Sequence, residues 1–333
     1  MRFGIVILPQ DPWSIGRRKW MLAEELGFDH AWTYDHLSWR SLADEPWGAT
    51  LPTLTAAAVV TSHIRLGTFV SSPNFRHPVP FAKEIATLDD VSGGRFTLGV
   101  GSGGTGFDAF VLGQAALSPR QRHERFTEFV ELLDELLRFE PAGDGSAGDG
   151  SAGGGSAGGG TAGGPAGDGA AGDATAAAEP CGISRSGEWF TAHEARMVGV
   201  PAQTPRVPFV LAANGPKGLA LVSRIADGWV TTGADGATGE DWWRAVTELS
   251  GRLDDAAAAA GRDPRSIDRY LSLDSGGVFS LESVGAFEEL AGRASDLGFT
   301  DVISHWPRAS GIYAGDEDVL VEVASRLATY RSL

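Results

Sequence analysis

Short apolar runs alternate with helically spaced segments along almost the whole chain, and this alternation constrains the fold more than any other feature. Runs at Phe3–Leu8, Asp29–Tyr34, Ile64–Val70 and Arg95–Val100 read as strands. Helical patterns follow at Ile15–Leu26, Leu51–Ser62, Pro78–Val91 and after Ser118. The fourth helix carries the strongest signal. Ser118 and Gln121 have capping-box spacing, and Phe126, Phe129, Val130, Leu133, Leu136 and Leu137 fall on one face. Four more strands are expected at Pro208–Ala212, Trp229–Thr232, Arg269–Leu273 and Thr300–Ser304. Their helices are expected at Pro216–Ala226, Asp241–Ala260, Ser283–Leu297 and Asp316–Tyr330, with a small excursion over Glu188–Val200. Eight strand–helix units imply a parallel sheet, because each helix returns the chain to the same edge. The count and the length favour the α/β class and a closed (β/α)8 TIM barrel over a doubly wound open sheet, with residues 1–333 as one domain.

One stretch breaks the pattern. Residues 141–182 hold 16 glycines and 12 alanines in 42 positions, with no aromatic or branched aliphatic side chain. Such a segment cannot bury enough apolar surface to offset its ordering entropy. It reads as a disordered, low-complexity insertion after the fourth helix, a neutral insertion rather than a tether or lid. Cys181, the single cysteine, falls at its end, so neither an intramolecular disulfide nor a cysteine-based metal cluster is available.

Charge narrows the range of functions. With 27 basic and 43 acidic residues the formal net charge is −16, which argues against nucleic acid and anionic membrane as partners. No apolar run is long enough to span a bilayer. The start, MRFGIVILPQD, shows no secretory pattern, and a cytoplasmic location is expected. No Ser-His-Asp order, P-loop or HExxH motif occurs, and the seven histidines have no metal-ligand spacing.

In a barrel of this kind the site lies where the strands end. Asp35-His36 ends the second strand; a histidine there can exchange protons near neutrality, and a neighbouring carboxylate can set its tautomer. Trp39 and Trp47 follow closely and are candidates for an apolar pocket wall. Gly99-Val100-Gly101-Ser102-Gly103-Gly104 formally matches GxGxxG. No helix is expected until Ser118, and Glu124 lies inside that helix, so the dinucleotide-fold reading fails. The glycines still allow a flat ligand to approach the backbone and their amides to hold an anion. Arg76 and His77 after the third strand are candidate anion ligands, or loop charge and a helix cap. Ala213-Asn214-Gly215-Pro216-Lys217 opens a helix whose free N–H groups, with the lysine, suit a phosphate.

These stretches resemble the bacterial luciferase-like superfamily. The resemblance rests on Asp35-His36, on Leu66–Pro73, and on Phe75-Arg76-His77-Pro78. It extends through Leu88–Phe96, Leu98–Gly103 and Ala226-Asp227-Gly228-Trp229, and covers the chain apart from the insertion. The form of the third strand and of the Ala212–Pro216 turn is most similar to the branch that uses the deazaflavin coenzyme F420. The resemblance implies a hydride-transferring oxidoreductase with F420 as cofactor, a small-molecule substrate and a homodimeric state. FMN with a monooxygenase activity is the alternative, and a non-catalytic flavin-binding member a second one.

By the same resemblance His36 is the catalytic group beside the reactive ring carbon. Asp35, Phe69, Val70, Ser102, Gly103, Ala213, Asn214 and Gly215 contact the cofactor, and Phe69–Val70 is a non-proline cis bond. Trp39, Trp47, Asp108 and Trp306 are expected around the substrate. The chain departs from the sugar-phosphate dehydrogenases of that branch. Gly104 stands where they carry a glutamate, and Thr231-Thr232-Gly233-Ala234 where they carry a phosphate-binding lysine. A sugar-6-phosphate substrate is therefore not expected, although Asp108 is a candidate to replace the missing acid.

Overall fold

A computed structural model describes residues 1–104, 106–139, 182–199 and 201–331. The expected insertion over 141–182 lies, apart from Gly182, outside the described residues. The elements in chain order begin with β1 (Arg2–Val6), α1 (Trp13–Glu25), β2 (His30–Thr33), α2 (Thr50–Val60), β3 (Arg65–Thr68) and α3 (Pro78–Val91). Next come β4 (Phe96–Gly101), α4 (Phe107–Val111), α5 (Pro119–Leu137), β5 (Ile183–Ser186) and β6 (Thr191–Ala195). Then follow β7 (Phe209–Ala212), α6 (Pro216–Ile225), β8 (Gly228–Thr231), α7 (Gly239–Ala259) and β9 (Asp268–Ser272). The chain closes with α8 (Val284–Asp296), β10 (Asp301–His305), α9 (Glu317–Ser325) and α10 (Leu327–Tyr330).

Among the described residues eight parallel strands close into a barrel, in the order β1-β10-β9-β8-β7-β4-β3-β2. This is the expected TIM barrel. Strand alternation sends successive side chains to opposite sides. Val6, Leu8, Trp32, Val210, Val230 and Ile303 fill the interior, while Phe3, Ile5, Leu66 and Leu98 meet the helices outside. Ser118 and Gln121 form the capping box of α5, and the predicted apolar face of that helix is fully buried. The expected excursion is an antiparallel hairpin, β5–β6, clamped on α5 by Arg185 to Glu131 and Glu135. The Glu128 carboxylate also accepts the backbone N–H groups of Glu188, Trp189 and Phe190.

Sequence reading missed α4. Its five residues are too short for a 3.6-residue period to register, and Gly106 precedes it at φ 66°. The glycine-rich turn therefore enters a helix well before Ser118. What excludes the dinucleotide fold is the closed barrel itself.

A polar seam holds the end of the barrel opposite the strand carboxyl ends. Asp301, fully buried on β10, accepts two hydrogen bonds from Arg2 of β1 at 2.7 and 2.8 Å. The Trp32 indole N–H reaches His30 Nδ1 at 2.6 Å, which leaves His30 Nε2 to donate to Asp301 at 3.0 Å. Burial alone would push the Asp301 carboxyl up. The hydrogen bonds of His30 and Arg2, with the Arg2 charge, outweigh it and hold the group below its ordinary 3.8. A carboxyl depressed in the folded state stabilises the fold above its unfolded value, and that contribution fades as pH falls through the folded one. Asp301→Ala should lower unfolding stability at neutral pH by about 3 kcal/mol, since it strands buried partners. The urea midpoint checks this. The difference between variant and wild type should shrink as pH drops below 3.8.

Candidate active site

The strands end in a cavity of about 870 Å³ at the open end of the barrel. Four groups of residues build its wall, and each is fixed by the elements beneath it.

The first group follows β2. His36 lines the cavity, and its Nδ1 lies 2.7 Å from Oδ2 of Asp108 on α4. The other Asp108 oxygen accepts the N–H of Leu37 at 2.7 Å. Asp108 is fully buried, so it acts as a fixed anchor that selects the Nδ1–H tautomer of His36. The Trp39 ring packs 4.5 Å from the imidazole and also lines the cavity. Trp47 lies behind this loop, its indole N–H donating to the His36 carbonyl at 2.9 Å.

The second group is the end of β3 and the glycine-rich turn after β4. The Phe69–Val70 bond is cis, as expected from the resemblance. Glycine is required opposite this bulge. A β-carbon at Gly99 would meet the Thr68 carbonyl at 2.0 Å, and one at Gly101 would meet the Val70 side chain at 2.8 Å. Ser102 and Gly103 line the cavity, and the Gly103 carbonyl accepts from Asn74 at 3.1 Å. At Gly104 a β-carbon would touch nothing within 4 Å, so bare backbone faces open space.

The third group follows β7. Ala213, Asn214, Gly215 and Lys217 line the cavity. Asn214 spends its amide on the fold: Nδ2 donates to the Gly233 carbonyl at 2.7 Å, and Oδ1 accepts from Thr231 at 2.9 Å. Gly215 caps α6 without any side-chain hydrogen bond, and it too faces open space. The first amides of α6 are thus available to an anion. Lys217 stands beside them, and Arg122 and His123 from α5 share the same wall. Burial lowers the His123 pKa from its ordinary 6.5, and the nearby Lys217 charge lowers it further.

The fourth group is polar and aromatic. Tyr34, Asp274 and Tyr313 line the cavity, and His305 connects them from behind. Sequence reading did not single out these residues. One signal was available: Trp32, Tyr34 and His36 share strand parity, so Tyr34 had to point toward the barrel axis.

Four of the expected site residues lie outside the cavity lining. Asp35 is buried and paired with Arg76 at 2.7 Å, and it does not line the cavity. Asp108 does not line it either, because its carboxylate is consumed by His36 and Leu37; it is an anchor rather than a substitute substrate acid. Trp47 secures its own loop. Trp306 follows His305 and so points to the outer side of β10. There its indole N–H donates to Glu317 at 3.0 Å, and Lys19 lies 6.0 Å from the ring. Of the two candidate anion ligands, Arg76 is neutralised by Asp35, and His77 caps α3 against Phe190. Among the described residues no His, Cys, Asp and Glu cluster is arranged to hold a metal ion, and no helix is long and apolar enough to cross a membrane.

Fold and site define a barrel that presents an anchored imidazole beside an open glycine edge. The sequence pattern of the luciferase-like monooxygenase family matches residues 1–150 and 181–275, and the chain belongs to that family. Among curated relatives, the F420-dependent glucose-6-phosphate dehydrogenase of Microbacterium testaceum (strain StLB037) is 27% identical over 261 residues, or 76% of this chain and 61% of the relative. The chain thus spans less than two thirds of that relative's length. An F420-dependent secondary alcohol dehydrogenase, solved with an F420-acetone adduct, superposes with a TM-score of 0.73 at 15% identity, covering 99% and 98% of the two chains. A monooxygenase from Streptomyces bottropensis superposes at 0.65 with 21% identity, covering 99% and 98%. Both structures share the fold.

The Asp108 anchor makes a direct prediction. In wild type, histidine-selective ¹⁵N NMR should show His36 protonated on Nδ1. Asp108→Ala should mix the tautomers and lower stability by about 1–3 kcal/mol through the orphaned Leu37 N–H. An unchanged His36 spectrum would remove the anchor from its role.

Proposed function

We propose that the chain is an F420-dependent oxidoreductase that transfers a hydride between the deazaflavin and a small organic substrate. The observation that carries this reading is the meeting, in one cavity, of an anchored imidazole with backbone left bare at Gly104 and Gly215. The volume is within the range of cofactor pockets. The residues fit such a group: a planar ring finds the Phe69–Val70 bulge and the glycine turn, and a phosphate finds the α6 amides with Lys217. The bound deazaflavin would supply a two-electron hydride donor or acceptor. His36, its tautomer set by Asp108, presents Nε2 beside the reacting ring to take up and return a proton, while Trp39 excludes water from that side.

The curated relative named above supports F420 over FMN. It does not extend to its sugar phosphate, because Gly104 and the Thr231–Ala234 turn lack the acid and lysine expected for that substrate. Homodimerisation, cytoplasmic location and the single-domain reading are part of this proposal.

The test is a pair of fluorescence titrations of the purified chain. F420 should bind at micromolar or lower concentration, and FMN at least ten times more weakly, on the order expected for a site built for one ligand. FMN binding without F420 binding would favour a monooxygenase; binding of neither would favour a non-catalytic member. His36→Ala should cut turnover about 100-fold and leave F420 affinity nearly unchanged. Lys217→Ala should weaken F420 binding about fivefold, an effect that fades with added salt.

A further inference from the structure

The fourth wall of the cavity carries a chain of proton-bearing groups that the reading above does not use. Asp274 Oδ2 accepts from both the backbone N–H and Nδ1 of His305, each at 2.7 Å. His305 Nε2 lies 2.7 Å from the Tyr34 hydroxyl, and that hydroxyl lies 3.2 Å from the Tyr313 hydroxyl. His305, Tyr34 and the Asp274 carboxylate are buried, Tyr313 is half-buried, and Tyr34, Asp274 and Tyr313 all reach the cavity wall. The remaining Asp274 oxygen accepts the Ser280 N–H at 2.7 Å, so the carboxylate cannot turn away.

Tyr313 is held as firmly as the groups behind it. Its ring stacks on the His305 imidazole at 3.8 Å and 6°. Its carbonyl accepts the Arg308 N–H at 2.8 Å, and Arg308 is tied in turn to Glu45. Its backbone has φ 60°, a left-handed conformation uncommon outside glycine and frequent at functional sites. Burial raises the pKa of both tyrosines, so each hydroxyl stays protonated through the neutral range and is equipped to donate.

We propose that Tyr313 is a second catalytic residue, which protonates the oxygen of a ketone or aldehyde substrate, with Tyr34, His305 and Asp274 as its relay. The inference rests on the hydride-transfer reading of this cavity. In the reducing direction the hydride brings two electrons and bonds to the carbonyl carbon. The π pair moves onto oxygen and takes the Tyr313 proton. The Tyr313 oxygen takes the proton of Tyr34, and the Tyr34 oxygen takes the proton on Nε2 of a doubly protonated His305. His305 keeps its Nδ1–H on Asp274. Solvent entering the emptied cavity returns one proton along the same path. The net change is one carbonyl reduced to an alcohol and one reduced deazaflavin oxidised; the proton taken up on the substrate oxygen is matched by the ring N–H proton that the cofactor releases as it is oxidised. His36 then serves the cofactor side and Tyr313 the substrate side.

The experiment uses the full chain loaded with reduced F420 and mixed without oxygen with cyclohexanone, acetophenone or benzaldehyde. The return of oxidised-cofactor absorbance reports hydride transfer. The wild type should reduce at least one probe with a solvent deuterium isotope effect. Tyr313→Phe should slow transfer about 100-fold, abolish that isotope effect and leave F420 affinity unchanged. Tyr34→Phe should slow it about tenfold, and it replaces Tyr313→Phe should the latter melt early. His36→Ala should retain the isotope effect. Wild-type rates and isotope effects in both tyrosine variants would overturn the inference. So would failure of every probe with F420 bound, a result that leaves the cofactor reading intact. Failure to bind F420 at all overturns both.

Discussion

The structure depends on closure of the barrel at β1, which pairs with β10 on one side and β2 on the other. A parallel sheet left open exposes two edges, and closing it removes both. Closure also fixes which side chains point inward, because strand parity cannot slip without turning every residue over. The Asp301, Arg2 and His30 network lies across this seam and links all three strands. With the amino ends tied together, the carboxyl ends converge on one cavity. Residues as distant in sequence as His36, Gly104, Lys217 and Tyr313 thereby share a wall.

Three histidine–aspartate pairs occur among the described residues, and their surroundings give the same chemistry different uses. His30 is closed off: Trp32 fills one ring nitrogen, Asp301 the other, and the result is structural. His36 has one nitrogen on Asp108, and its ring lines the cavity. His305 has one nitrogen on Asp274 and passes the other to a tyrosine. A carboxylate on Nδ1 orients the ring in the last two, so that Nε2 is the atom left to exchange a proton with its neighbour. What the second nitrogen meets decides whether such a pair is cement or machinery.

The legible part of the chain was the part governed by period and punctuation. Eight strands, the Pro78–Val91 helix and the Ser118 cap follow from side-chain spacing and capping chemistry, and all lie close to where those rules put them. His36 and the glycine turn were legible because they end strands. Asp108 was visible as a residue but not in its role, because α4 is too short to show a period and its partner lies 72 positions away. Trp306 was misplaced for want of parity: counting from His305 puts it on the outer face. Tyr313 sits in a loop with neither period nor cap signal. Tertiary contacts bring it to the site: the stack on His305, the Tyr34 hydroxyl and the Arg308 N–H.

The charge distribution explains how an acidic protein can hold an anion in such a cavity. The net charge of −16 is a property of the whole surface, and exposed charges are screened within about 10 Å at moderate salt. The cavity answers to nearer groups. The wall near α6 carries Lys217 and Arg122 beside unspent helix amides. The acids close to the cavity are mostly committed: Asp108 to His36, Asp274 to His305 and Asp35 to Arg76. These bonds turn the three carboxylates toward their partners rather than toward a ligand, and Asp235, which also lines the cavity, is the exception. The same pairing divides the cavity into a cationic end suited to a phosphate and an aromatic end suited to a small neutral substrate. Hydride transfer from a phosphorylated, planar cofactor requires this polarity, because the tail must be gripped while the reacting face stays dry.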